Sequence, residues 1–296
     1  MNIPMQLNPP AIGIIIIGDE ILSGKRSDKH LPKFIELLNE RGLQLAWAEY
    51  VGDSPERITQ VLARAFASGD VVFSCGGIGA TPDDHTRQCA AQAIGVPLAL
   101  HPEAKALILE RMRDVATEQG VAFEPNRDDN LHRLNMGTFP QGAQIIHNPY
   151  NKIPGFTCQG SGQGMVHFVP GFPVMAWPMM QDKLDAYCQT WGAAPKRIER
   201  SVIVFGAMEA TLTPLMERIE KQHAGIKVFS LPSVDHPKWG KHIELGVKGA
   251  EPQADSAFMA LKEGLKPFEV ELGPEMVRKH ILQYNSASVV YCGASN

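Results

Sequence analysis

The chain has 296 residues, with 44% hydrophobic and 20% charged side chains and a formal net charge of −4. That length supports a sizeable core and two domains, and the composition is that of a globular protein. The negative balance, with no dense Lys/Arg run, gives no support to an electrostatic nucleic-acid binder.

Ala11–Ile17 is a β-branched run ending at Gly18, the pattern of a buried parallel strand. Asp28–Arg41 follows as a helix: Leu31, Phe34, Ile35 and Leu38 recur at helical spacing, and Gly42 stands where a left-handed cap is wanted. Leu43–Val51 is a second strand. Ser54-Pro55, a capping residue with proline behind it, opens a helix that carries Ile58, Val61, Leu62, Ala65 and Phe66 on one face and stops near Gly69. Val71–Cys75 is a third strand. Thr81–Ile94 and Pro102–Glu118 read as helices, 120–135 has no clear pattern, Ala143–Asn148 and Met165–Val169 read as strands, and Phe172–Trp191 as a closing helix. Such alternation over short connections predicts an α/β fold, a mostly parallel sheet covered by helices in three layers.

Gly192–Pro195 is the expected linker. Beyond it the order is strand (Arg200–Phe205), helix (Glu209–His223), strand (Ile226–Ser230), strand (Lys241–Val247), helix (Gln253–Lys266), strand (Phe268–Glu271). This is the order of a small ferredoxin-like α+β unit. The expected domains are 1–191 and 196–273, with 274–296 unassigned.

Five scattered cysteines form no C-x-x-C pair, which argues for a reducing compartment. The ten histidines show no zinc spacing. Met1–Pro10 lacks the pattern of a signal peptide, and the run Ile14–Ile17 is far below the ~20 residues of a membrane span. A cytoplasmic protein without membrane or nucleic-acid partners is expected.

The informative segment is Cys75-Gly76-Gly77-Ile78-Gly79-Ala80-Thr81-Pro82-Asp83-Asp84-His85-Thr86. It leaves a strand and opens a helix. Its glycines let the backbone approach a ligand, and its N–H groups with the helix start make an anion site. Thr81 reads as the helix cap, Pro82 as the first helical residue and Asp84 as a capping-box acid. Two readings of Asp83 and Asp84 stand at this point. They complement the helix dipole, or they recruit a divalent cation beside a phosphate they would otherwise repel. Mg²⁺ or Mn²⁺ suits oxygen ligands there, with Co²⁺ an alternative.

The second segment is Gly18-Asp19-Glu20-Ile21-Leu22-Ser23-Gly24-Lys25-Arg26-Ser27-Asp28, leaving the first strand on the same expected rim. Asp19 and Glu20 would face Asp84 across it; alternatively this is a surface loop whose Asp28 caps the next helix. Neither segment is a Walker loop or a dinucleotide fingerprint. Gly18 to Gly24 leaves five residues with Arg26 after Lys25, and Pro82 follows Gly77-x-Gly79 at the third glycine's place.

These two segments resemble the G-D-E-L-L-x-G-x-x-x-D and S-G-G-L-G-P-T-x-D-D-x-T segments of the molybdopterin-binding (MoaB/Mog-like) domain of CinA-type proteins. Pro140-x-Gly142-Ala143 with Asn148-Pro149 and Pro154-Gly155-Phe156, then Val169-Pro170-Gly171-Phe172-Pro173, resemble two further segments of that family, in the same order. The resemblance spans most of Ile12–Met180. It implies a domain shared with enzymes that adenylylate molybdopterin, associated in CinA-type members with metal-dependent cleavage of nucleotide pyrophosphates such as ADP-ribose, and a KH-like second unit. Here Ala80 replaces the loop proline, Cys75 a small residue, and Lys29-His30 the usual Thr-Asn. The end at Asn296 leaves no room for a nicotinamide-nucleotide deamidase domain, so deamidation is not expected.

The working expectation is hydrolysis of a nucleotide pyrophosphate. Asp84 and Asp19 take the catalytic positions, Asp83 and Asp84 hold metal, and Gly76, Gly77, Gly79, Thr81 and Thr86 hold phosphate, with Gly24, Asp28 and Gly155 as further ligand positions. Thr86 equally faces the helix backbone, and Lys25 or Lys152 supplies positive charge or is solvated surface. The alternative is a non-catalytic carrier or sensor of molybdopterin or a nucleotide. A homo-oligomer is expected.

Overall fold

The structure, a computed structural model, describes residues 10–191 and 197–279. It has two compact units, one built on residues 10–38 and 44–191 and the other on residues 197–279. The expected linker and residues 1–9 and 280–296 lie outside the described residues.

The strands of the first unit are β1 (Ile12–Ile17), β2 (Trp47–Val51), β3 (Val71–Cys75), β4 (Leu98–Leu100), β5 (Thr138–Pro140), β6 (Gln144–Ile146), β7 (Gly155–Gln159) and β8 (Met165–Val169). Its helices are α1 (Asp19–Leu22), α2 (His30–Glu40), α3 (Pro55–Ser68), α4 (Thr86–Ile94), α5 (Pro102–Gln119), α6 (Asp128–Leu134) and α7 (Pro173–Trp191). The main sheet has the order β2-β1-β3-β8-β7-β6. Its first four strands are parallel, and β7 alone runs opposite, paired antiparallel with β8 on one side and β6 on the other. Every residue of β1 and of β3 is buried, as a strand with helices on both faces requires. Alternation along β3 divides the layers. Phe73 meets Phe34 of α2 at 4.8 Å, whereas Val72 joins Ile58, Leu62 and Phe66 of α3 in the opposite layer. Phe139, Phe156 and Phe168 stack at 4.5 and 4.3 Å and tie β5 and β7 to the same core. Truncating one such ring to Ala costs about 3–5 kcal/mol.

Five differences from the sequence expectation stand out. β2 begins at Trp47, not Leu43, and α6 occupies much of the unassigned 120–135 stretch. The ladder of β4 with β5 and the strand β7 were not anticipated. The helix expected from Thr81 begins at Thr86.

The connection from β1 to β2 runs to one side of β1, and β3 lies on the other side. That reversal opens a crevice at the C-terminal ends of β1 and β3, where ligands sit in open α/β sheets.

The second unit contains β9 (Arg197–Phe205), α8 (Glu209–Gln222), β10 (Lys227–His236), β11 (Gly240–Ala250), α9 (Glu251–Leu265) and β12 (Glu271–Lys279). The antiparallel order β10-β11-β9-β12 is the split βαβ arrangement. Val202, Val204, Leu245 and Val247 pack against Leu212, Leu215, Phe258 and Leu261 of the two helices. The last strand starts later than expected, because Lys266–Phe268 is a 3-10 turn. The tail left unassigned from Pro274 therefore begins inside β12. No described helix is long and apolar enough to cross a membrane.

Candidate functional site

The crevice is a cleft of about 380 Å³. Ile16, Ile17 and Cys75 line it from the strand ends, Arg26 and Lys29 supply cations, and Phe172 is an aromatic wall that is 57% exposed. Burial pushes the Cys75 thiol far up, so it stays protonated. His30, almost fully buried, donates from Nε2 to Gly171 O at 3.0 Å and joins the start of α2 to the loop after β8.

The loop from β3 to α4 is organised by its carbonyls. Thr86 Oγ1 donates to Gly76 O (3.1 Å), Thr86 N to Gly77 O (3.0 Å), and Arg87 Nη1 to Ile78 O (3.0 Å). Three successive carbonyls thus point at the first two residues of α4. In a trans peptide the C=O and the next N–H point opposite ways, and no peptide bond here is cis. The N–H groups of Gly77, Ile78 and Gly79 are therefore turned away from α4, and none of them has a hydrogen-bond partner among the described residues. Successive outward amides form a concavity that accepts an anion. Glycine is required here: Gly77 has φ +68°, and a Cβ on it would lie 2.2 Å from Thr86 Oγ1.

Two amides expected to hold phosphate are already committed. Gly76 N donates to Val169 O at 3.0 Å, and Thr81 N to Asp84 Oδ2 at 2.8 Å. Thr86 turns its hydroxyl onto the loop carbonyl of Gly76, where a contact with phosphate or with the helix backbone was expected. Thr81 does not cap a helix. It closes a turn with Asp84, whose N–H donates to Thr81 O and whose carboxylate accepts from the Thr81 amide and hydroxyl. Of the two reciprocal bonds of a capping box, only the one from the Thr81 amide to the Asp84 carboxylate forms; the Asp84 amide goes to the Thr81 carbonyl, as in a turn.

Asp19 meets Asp53, not Asp84. Asp19 N donates to Asp53 Oδ2 (2.9 Å) and Asp53 N to Asp19 Oδ1 (3.2 Å). Gly52 permits the approach, since a Cβ there would lie 2.3 Å from Asp19 Oδ1. Partial burial, reinforced by the charges of Asp19, Glu20 and Asp83, raises the Asp53 carboxyl above its ordinary value; the hydrogen bond from the Asp19 amide opposes this. Asp83 is exposed, and its carboxyl is lowered, mainly by its proximity to the Thr81 hydroxyl, which itself donates to Asp84. Among the described residues no three His, Cys, Asp or Glu side chains are placed to hold a metal ion.

The remaining expected ligand positions have structural partners. Gly24, with φ +73°, donates its amide to Ile21 O. Asp28 caps α2 through the amides of His30 and Leu31 and accepts from Tyr50 OH at 2.8 Å. Gly155 lies within β7, where a Cβ would strike Phe168 O. Lys152 is paired with Glu110 and Asp114 at 2.7 and 2.6 Å. Lys25 is exposed. Sequence reasoning missed Asp53, Arg87 and Phe172. The rule that placed the loops after β1 and β3 on one rim applies equally to those after β2 and β8. Arg87 carried no signal beyond being a cation on a buried helix face.

An α/β domain whose loop after β3 turns unpartnered amides outward at the topological switch is the class these features define. A family model described as a probable molybdopterin binding domain matches residues 13–188, and the chain belongs to that family. A CinA-like protein of Anaeromyxobacter dehalogenans (strain 2CP-C) is 33% identical over 163 residues; the match covers 55% of this chain but only 37% of that relative. A protein of Pyrobaculum calidifontis is 28% identical over 263 residues, covering 87% of this chain and 96% of its own. The solved structure of CinA from Thermoplasma acidophilum is 27% identical with a TM-score of 0.49, covering 62% of this chain and 99% of that one. The four motifs fall within the matched residues and are similar to those of such CinA-like relatives.

Proposed function

We propose that the first unit binds a phosphate-bearing nucleotide or pterin, its phosphate on the Gly77–Gly79 amides and its ring system in the cleft beside Phe172. The observation that carries this is the set of three outward amides without partners. Arg26 and Lys29 add positive charge, and the apolar floor accepts a planar ring. Family membership supports a pterin or nucleotide as the ligand.

Hydrolysis of a nucleotide pyrophosphate such as ADP-ribose is the second reading. The acidic rim favours it: Asp19, Glu20 and Asp83 all act on Asp53, a concentration of negative charge that a ligand-borne cation would relieve. The acids do not converge on one point, so they do not by themselves define where such a cation would sit.

Calorimetry with AMP and ADP-ribose, followed by assays of AMP release with Mg²⁺, Mn²⁺ or Co²⁺, tests both readings. Binding without product under every cation leaves a carrier or sensor. Product that disappears in Asp84→Ala establishes turnover. No binding of any phosphorylated ligand overturns both.

A further inference from the structure

Arg87 is 4% exposed and is the second residue of α4. The one hydrogen bond of its side chain among the described residues is to Ile78 O, in the middle of the anion loop. No carboxylate pairs with it at ion-pair distance among those residues, although Asp84 lies near enough to act on its charge, and both line a second pocket of about 320 Å³. A buried guanidinium held by a carbonyl alone is expensive to maintain. Every stabilising purpose of that hydrogen bond would be met by a neutral donor. The charge is the part that packing does not explain.

The geometry gives the charge a use. The Ile78 carbonyl and the Gly79 N–H belong to one peptide unit. A guanidinium that holds the carbonyl from the α4 side fixes the N–H on the other side. It also places a positive charge, poorly screened by water, behind the concavity.

We propose that Arg87 is a positioning residue of the anion site: it orients the Ile78–Gly79 peptide and supplies, from behind the loop, the charge that makes the site prefer a doubly charged phosphate. The inference rests on the reading that a phosphate sits on the Gly77–Gly79 amides. It adds a ligand class, dianionic phosphate monoesters over singly charged diesters.

The test uses the full chain and two ligands of nearly one shape, AMP and its singly charged phosphate methyl ester. Affinities are measured by calorimetry, and the Gly77–Gly79 amide resonances are followed by NMR. The wild type should prefer AMP, with those amides shifting. Arg87→Met should weaken AMP by about 10- to 100-fold, the range of a hydrogen-bonded charge, and the ester much less, so that the preference collapses. Arg87→Lys keeps the charge without the planar fork; it should retain the preference at reduced affinity for both ligands, and it stands in if the Met variant does not fold. Equal weakening of both ligands in the Met variant, or loss of the preference in the Lys variant, overturns the inference and leaves phosphate binding intact. If the wild type binds AMP without moving those amides, or not at all, the underlying reading falls and this inference with it.

Discussion

The loops that follow β1 and β3 look alike in sequence, each glycine-rich, acidic and placed at a strand end, yet they treat their backbones in opposite ways. In the first, the amides of Gly18, Asp19, Ile21, Leu22, Ser23, Gly24 and Arg26 all find acceptors, mostly within the short α1 turn. In the second, the carbonyls are consumed by Thr86 and Arg87 and the amides of Gly77–Gly79 are left over. Glycine content therefore does not make an anion site. What matters is which end of each peptide the neighbouring helix takes.

The strongest way to break this contrast is to add one methyl group to each loop. Gly77→Ala forces a left-handed residue and a clash with Thr86; it should cost about 3 kcal/mol in urea unfolding and abolish phosphate binding. Next comes Thr86→Val, which removes a buried bond to Gly76 O; a loss of about 2 kcal/mol with weaker phosphate affinity is expected. In the first loop the same measurements should show stability effects alone. Gly24→Ala has open space around it, and Asp28→Ala removes a helix cap. Each should cost about 1 kcal/mol with affinity unchanged, and a large affinity loss in either would erase the contrast.

The smallest effect sharpens the acidic side of the rim. A carboxyl whose folded pKa is raised is destabilising once ionised, so stability falls as pH rises from the ordinary carboxylate value through the raised one. Asp53→Asn should thus gain a few tenths of a kcal/mol, about 0.3, at pH 7, after allowance for its solvent exposure. The gain should vanish in acid. A loss at neutral pH would mean that its bond to the Asp19 amide outweighs the repulsion.

The strands of the parallel core were legible because β1 and β3 are buried along their whole length and read as dense apolar runs, interrupted in β3 only by Ser74. β7 was hidden because Gly155 and the flanking Pro/Gly stretch read as loop, while its pairing depends on Phe156 reaching Phe139 and Phe168 from distant segments. The start of α4 was misplaced because the bond from the Thr81 amide to the Asp84 carboxylate is purely local and forms whether a helix or a further turn comes after it. The glycine loop itself was visible. Which of its amides remain free was not, since that depends on Val169 taking Gly76 and on Arg87 taking Ile78.

The outward amides at Gly77–Gly79 carry one further consequence, for acidity. Main-chain N–H groups neither gain nor lose protons across the physiological range, and a guanidinium behind them stays charged. A phosphate monoester held there brings its own titration, with a second ionisation near about 6. The rise of affinity with pH is then set mainly by the ligand, so nucleotide and pterin monophosphates should follow curves with the same midpoint.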